Sequence, residues 1–171
     1  MLAKSTENLI SVSTKRFRFI DSLQHLPGSL DTLVSNLKDH GDENFYCLRN
    51  EFPGDEEFSL MLGKGCFPYE YVTSEQVLDE PLPPHPKFYS KLKKSNISKS
   101  EYSTVVKIYK KFKMKSLHDL LVLYNKQDVL LLADVVTFYR NSVRESYNLE
   151  ALAYLTSPSL TMDAALKYTK V

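Results

Sequence analysis

Little in this chain could serve a covalent or metal-bound framework. Its 171 residues include only two cysteines, Cys47 and Cys66, and neither has a CxxC or histidine-rich context. Neither a disulfide scaffold nor a structural zinc site is therefore expected, and this cysteine usage fits a reducing compartment. The first residues contain no apolar stretch of signal-peptide length, and nowhere do eighteen apolar residues run together. A secreted or membrane-spanning protein is not expected; the expectation is an intracellular one, nuclear or cytoplasmic. Internal repeats are also lacking, which excludes a solenoid.

What is present is the composition of an ordinary globular chain, 43% hydrophobic and 25% charged, with apolar material enough for one core. The net charge of +1 hides an uneven distribution. Residues 87–115 hold ten lysines against the single acid Glu101, whereas residues 39–57 hold seven acids against Arg49. A lysine-rich stretch of this kind favours phosphate backbones through counterion release, with Lys107, Lys110 and Lys111 as candidate DNA contacts. It can equally be a solvated helix face.

Residues 8–12 and 17–21 read as two short strands around the polar turn Thr14-Lys15-Arg16, a hairpin. After Pro27-Gly28, Ser29 can cap a helix whose Leu30, Leu33, Val34 and Leu37 share one stripe, ending near Gly41. The acidic stretch to Glu57 leads to a short apolar turn and then the loop Gly63-Lys64-Gly65-Cys66-Phe67-Pro68-Tyr69. Residues 81–86, Pro-Leu-Pro-Pro-His-Pro, predict an extended connector that divides a mixed β/α part from a helical part.

The capping pattern Ser98-x-x-Glu101 opens a helix with Tyr102, Val105, Val106, Tyr109 and Phe112 on its apolar face. A second, Ser116-x-x-Asp119, opens one through Leu117, Leu120, Leu121 and Tyr124, then Val129, Leu132, Ala133, Val136 and Val143. Ser157-Pro158 predicts an N-cap followed by proline at the first helical position, with a last helix from Pro158 to about Tyr168. The fold class expected is α+β, mainly α.

Within the longest helix Tyr124 and Asp128 stand four residues apart, about 40° from each other around the axis, and so share a face. A carboxylate able to hold Mg²⁺, one turn from a phenol able to orient water, suits metal-assisted phosphodiester hydrolysis. A packing tyrosine beside a solvated aspartate has the same spacing.

The order of motifs resembles the family B DNA polymerases of the protein-primed kind. Tyr124-x3-Asp128 followed by an apolar helix is similar to that family's third exonuclease motif, and Lys64-x-x-Phe67 to the lysine motif of its protein-primed branch. Phe19-Ile20-Asp21-Ser22-Leu23 with Ser29-Leu30-Asp31-Thr32-Leu33 looks like the strand and helix after the second exonuclease motif. Ser157-Pro158-Ser159-Leu160 with Met162-Asp163-Ala164-Ala165-Leu166 resembles the lead-in to the polymerase domain. The nearest resemblance is to the polymerases of Polinton (Maverick) mobile elements.

That resemblance implies a partial RNase H-like exonuclease fold over residues 1–80, a connector at 81–97, exonuclease helices at 98–147 and the start of a polymerase domain at 148–171. It implies that Asp128 binds Mg²⁺ or Mn²⁺, that Tyr124 positions the attacking water, that Lys64 contacts the scissile phosphate and that Tyr69 lines a single-strand channel. The implied partners are the single-stranded 3′ end of DNA and a terminal protein primer, and the implied role is replication of a mobile or viral-like element. Asp21 matches no metal ligand and reads as structural.

A two-metal site needs several converging carboxylates, and this chain offers one. Residues 1–20 contain a single acid, Glu7, and neither the Asp-x-Glu pair nor the asparagine-aspartate pattern of the first two motifs. Asp134 lies about 240° and Asp119 about 180° round the helix from Asp128. The segment ends before the palm aspartates would begin. A fragment inactive on its own is therefore expected; the alternative is a basic helical remnant that binds DNA or protein without catalysis.

Overall fold

The structure is a computed structural model that describes residues 2–3 and 9–170. It is α+β and mainly helical, and it divides into two compact units, Met1–Asn44 with Ala133–Val171, and Phe45–Leu132.

The first unit opens on an antiparallel sheet of β1 (Leu2–Ala3), β2 (Leu9–Ser13) and β3 (Arg18–Ile20), in that order. The expected hairpin pairs Ser11 with Ile20, Val12 with Phe19 and Ser13 with Arg18. Its turn closes because Thr14 Oγ1 accepts from Phe17 N at 3.0 Å while Thr14 N donates to Phe17 O at 2.8 Å. The two-residue β1 was too short to be read from alternation. Asp21 is structural, its carboxylate accepting from Leu23 N at 3.1 Å to cap a single 3₁₀ turn.

Ser29 caps α1 (Leu30–Lys38), accepting from Thr32 N at 3.2 Å, and Val34 and Leu37 are the buried part of the expected stripe. In the last helix, α6 (Ser157–Thr169), the sequence reading needs correction. Ser157 is not the N-cap but the first helical residue, and its one hydroxyl hydrogen is shared between Gln24 O at 3.1 Å and His25 O at 3.0 Å. Two nearby carbonyls recruit the hydroxyl that local sequence would have spent on the helix end.

Two helices of the second unit were not expected. The acidic stretch, for which the sequence predicts no element, and the short apolar turn after it hold α2 (Tyr46–Glu51) and α3 (Asp55–Met61). The acids Asp55, Glu56 and Glu57 crowd the first turn of α3, where a carboxylate favours the positive end of the helix dipole. Phe45, Leu48, Phe58 and Met61 are each at most 3% exposed, so these short helices are held by burial rather than length. The proline connector is irregular to Pro84 and then tightens into a 3₁₀ turn, His85–Phe88. Phe88 packs with Val105, Leu117 and Leu120 in the unit's core.

In α4 (Lys99–Lys111) both arms of the capping box form, Glu101 N donating to Ser98 Oγ at 3.1 Å and Ser98 N to Glu101 Oε2 at 2.6 Å. The second box forms likewise at the start of α5 (Leu117–Tyr147), with Asp119 N to Ser116 Oγ at 3.3 Å and Ser116 N to Asp119 Oδ2 at 3.2 Å. Beyond Tyr124 the apolar stripe of α5 differs from the expected one except at Val143, which is buried as expected. Val129 is 66% exposed, and the buried seam runs instead through Leu117, Leu120, Tyr124, Gln127, Leu131 and Asp134. The alternating three- and four-residue spacing is kept by burying two polar residues.

Candidate active site

Every residue singled out as Lys64, Tyr69, Tyr124 or Asp128 lies in the second unit. α5 presents Tyr124 inward, and the loop after α3 folds its aromatic residues around that ring. Phe67, Tyr69 and Tyr124 make a three-membered cluster, with ring centroids 5.2 Å apart for Phe67–Tyr69, 6.0 Å for Phe67–Tyr124 and 5.9 Å for Tyr69–Tyr124. Such tilted and edge-on arrangements are the favourable geometries for aromatic pairs. Tyr69 is the solvent-facing member, 60% exposed.

The Tyr124 phenol is held well above its ordinary ionisation range, by burial first and then by the Tyr69 hydroxyl and the Asp128 carboxylate beside it. Tyr124 is therefore a neutral hydrogen-bonding group, not a base, across the whole working range of pH. Asp128 Oδ1 is buried and has no hydrogen-bond partner among the described residues. A buried carboxylate oxygen without a donor is costly unless something else satisfies it, and a cation is one such partner.

Lys64 is exposed in the loop between Gly63 and Gly65. That loop runs close under α5: a Cβ added at Gly65 would fall 2.9 Å from Tyr124 Cδ2 and 2.5 Å from Gln127 Oε1. Gln127, 4% exposed, donates through Nε2 to Met61 O at 2.9 Å and Gly63 O at 2.7 Å. Gln127 was missed in the sequence. The signal was available, since it is the one polar residue spaced three from Tyr124 and four from Leu131 along an apolar seam.

The lysines divide. Lys107 and Lys110 are exposed on α4 and enter no ion pair among the described residues. Lys111 is engaged by the acidic first turn of α3, with Nζ to Glu56 Oε2 at 2.5 Å and to Glu57 Oε1 at 4.0 Å, and its ammonium is held above its ordinary range mainly by Glu56. Lys91 pairs with Glu70 at 3.2 Å.

Asp119 is consumed as a helix cap, and Asp134, 1% exposed, lies on the far arc of α5 from Asp128. Among the described residues no group of three or more histidines, cysteines, aspartates or glutamates converges. The orphaned Asp128 Oδ1 could fill one ligand position of a divalent ion, and among the described residues it belongs to no group of three or more such donors.

The family described as "DNA polymerase type B, organellar and viral" matches residues 4–167. The chain belongs to this family. A protein of Podospora anserina named "Probable DNA polymerase" is 26% identical over 152 residues, which cover 89% of this chain and 10% of that protein. The chain thus spans about a tenth of the length of the curated relative it matches. No solved structure matches. No helix among the described residues is long and apolar enough to cross a membrane.

Proposed function

We propose that this segment is the later part of the 3′-5′ exonuclease region of a DNA-directed DNA polymerase that replicates a mobile or viral-like element, with a terminal protein as primer. In this reading residues 1–80 and 98–147 serve the exonuclease, 81–97 connect them, and 148–171 begin the polymerase domain. Lys64 meets the scissile phosphate of a single-stranded 3′ end, Tyr69 offers a ring for base stacking, and Tyr124 orients the attacking water. Asp128 supplies one carboxylate to Mg²⁺ or Mn²⁺, an ion that in such sites activates water and stabilises charge on the phosphate.

The observation that carries the reading is the orphaned Asp128 oxygen beside Tyr124, whose other neighbour is an exposed ring. One carboxylate does not hold two dications, so the segment alone should not turn over. Incubation with labelled single-stranded DNA and Mg²⁺ or Mn²⁺ tests this. Hydrolysis that survives Asp128→Ala would defeat the assignment, and hydrolysis lost in that variant would defeat the claim of inactivity.

A second reading has its own support in the unpaired, exposed Lys107 and Lys110. It takes α4 as a DNA-binding face retained without catalysis, and absence of binding to a duplex or single strand at low salt would remove it.

A further inference from the structure

We infer that Gln127 is a positioning residue: its side-chain amide clamps the Lys64 loop onto the turn of α5 that carries Tyr124 and Asp128. The inference rests on the reading of Lys64 as a phosphate contact and deepens it.

Both hydrogens of the Gln127 amide are assigned by geometry. Nε2 donates to Met61 O and to Gly63 O, 2.9 and 2.7 Å away, which are the carbonyls just before Lys64. Met61 is the last residue of α3, and its carbonyl, which already accepts from Gly63 N at 3.0 Å, takes the Gln127 amide as a second donor. On the other side of Lys64, Gly65 packs so closely on Gln127 Oε1 and Tyr124 Cδ2 that no larger residue fits without a shift. Lys64 is thus held from both flanks by a side chain whose backbone is bonded directly to that of Asp128.

A lysine on an exposed loop samples many positions. Tied at two points to a rigid helix, its backbone has one position relative to Tyr124 and Asp128, and less ordering remains to be done when a phosphate arrives. A packing role needs only volume, which Met supplies about as well as Gln. The two donated hydrogen bonds are what distinguish the clamp.

The test uses the whole chain and nuclear magnetic resonance. In the unsubstituted protein the Gln127 side-chain protons should exchange with water far more slowly than those of exposed Asn125, and cross-peaks should join Gly65 Hα to the Tyr124 ring. Equal exchange for the two side chains would overturn the proposal with no variant needed. In Gln127→Met the Gly65–Tyr124 cross-peaks should weaken severalfold while those between the Phe67 and Tyr69 rings persist; unchanged Gly65–Tyr124 cross-peaks would overturn it.

Affinity for a fluorescent oligothymidylate supplies the functional arm. Lys64→Ala should weaken binding about fivefold in the parent and less than about twofold in Gln127→Met, the non-additivity expected of coupled neighbours. Equal losses in both backgrounds would overturn the clamp alone. No loss in the parent would overturn the phosphate role of Lys64, and the proposal with it.

Discussion

Tyr69 stands edge-on against Tyr124, with ring planes at 83° and centroids 5.9 Å apart, yet Tyr69 is 60% exposed and Tyr124 only 8%. The buried ring is the foundation and the exposed one the platform. In the proposed reading a single-stranded base stacks on the second without disturbing the first.

Replacing Tyr69 by Ala should therefore lower affinity for a single-stranded oligonucleotide by about 1–3 kcal/mol, the usual worth of one base–aromatic stack. Stability should change little, because most of the side chain is already in water. Fluorescence anisotropy beside a thermal melt separates the two effects; an unchanged dissociation constant would remove Tyr69 from the strand's path.

The lysines of α4 should not be equivalent. Lys107→Ala and Lys110→Ala are each expected to reduce the salt dependence of DNA binding by about one charge in the logarithmic slope. Lys111→Ala should change that slope less, since Glu56 and Glu57 already engage its ammonium. Binding measured over a range of salt concentrations decides, and an equal or larger effect at Lys111 would show that the acidic turn releases it.

Much of this was legible in the sequence. Both capping boxes, the hairpin and α1 follow from local chemistry, in which a serine three residues before a carboxylate needs no distant partner. The order of motifs pointed to the family whose match covers residues 4–167. What could not be read locally is what depends on partners far along the chain. Glu51 pairs with Lys126, 75 residues away, and the short helices α2 and α3 gain their stability from a core that no window of sequence displays. Likewise the spacing of Gln127 places it on the buried seam, but not the carbonyls it bonds, 66 and 64 residues away.

In the first unit, Glu150 is gripped by Arg140 Nε at 2.8 Å and Nη2 at 2.9 Å and by Arg144 Nη2 at 2.6 Å. Arg140 foremost lowers its carboxyl from 4.5 to about 2. A folded-state value below the unfolded one stabilises the fold above the unfolded pKa, and that contribution fades as pH falls from about 4.5 towards 2. With the carboxylate 34% exposed, screening trims the gain to about 1 kcal/mol. Glu150→Gln should flatten the acid limb of the melting profile; an unaltered limb would show that the grip does not persist in solution.

Leu117 is fully buried in the cluster with Phe88, Val105 and Leu120, and its backbone N donates to Glu80 O at 2.8 Å. Leu117→Ala should cost about 2–5 kcal/mol, through lost burial and the cavity left behind. A denaturant midpoint measures it, and a loss below about 1 kcal/mol would show that the core closes over the gap.

The orphaned oxygen of Asp128 sets stability against use. Most buried polar groups, when removed, weaken a fold, because they were satisfied. Asp128 Oδ1 is not satisfied among the described residues, while the same carboxylate also engages the Tyr124 phenol, so in metal-free buffer Asp128→Ala should lower the melting temperature less than the same change at Gln127. A position from which the fold gains little is, in the proposed reading, one kept for metal binding.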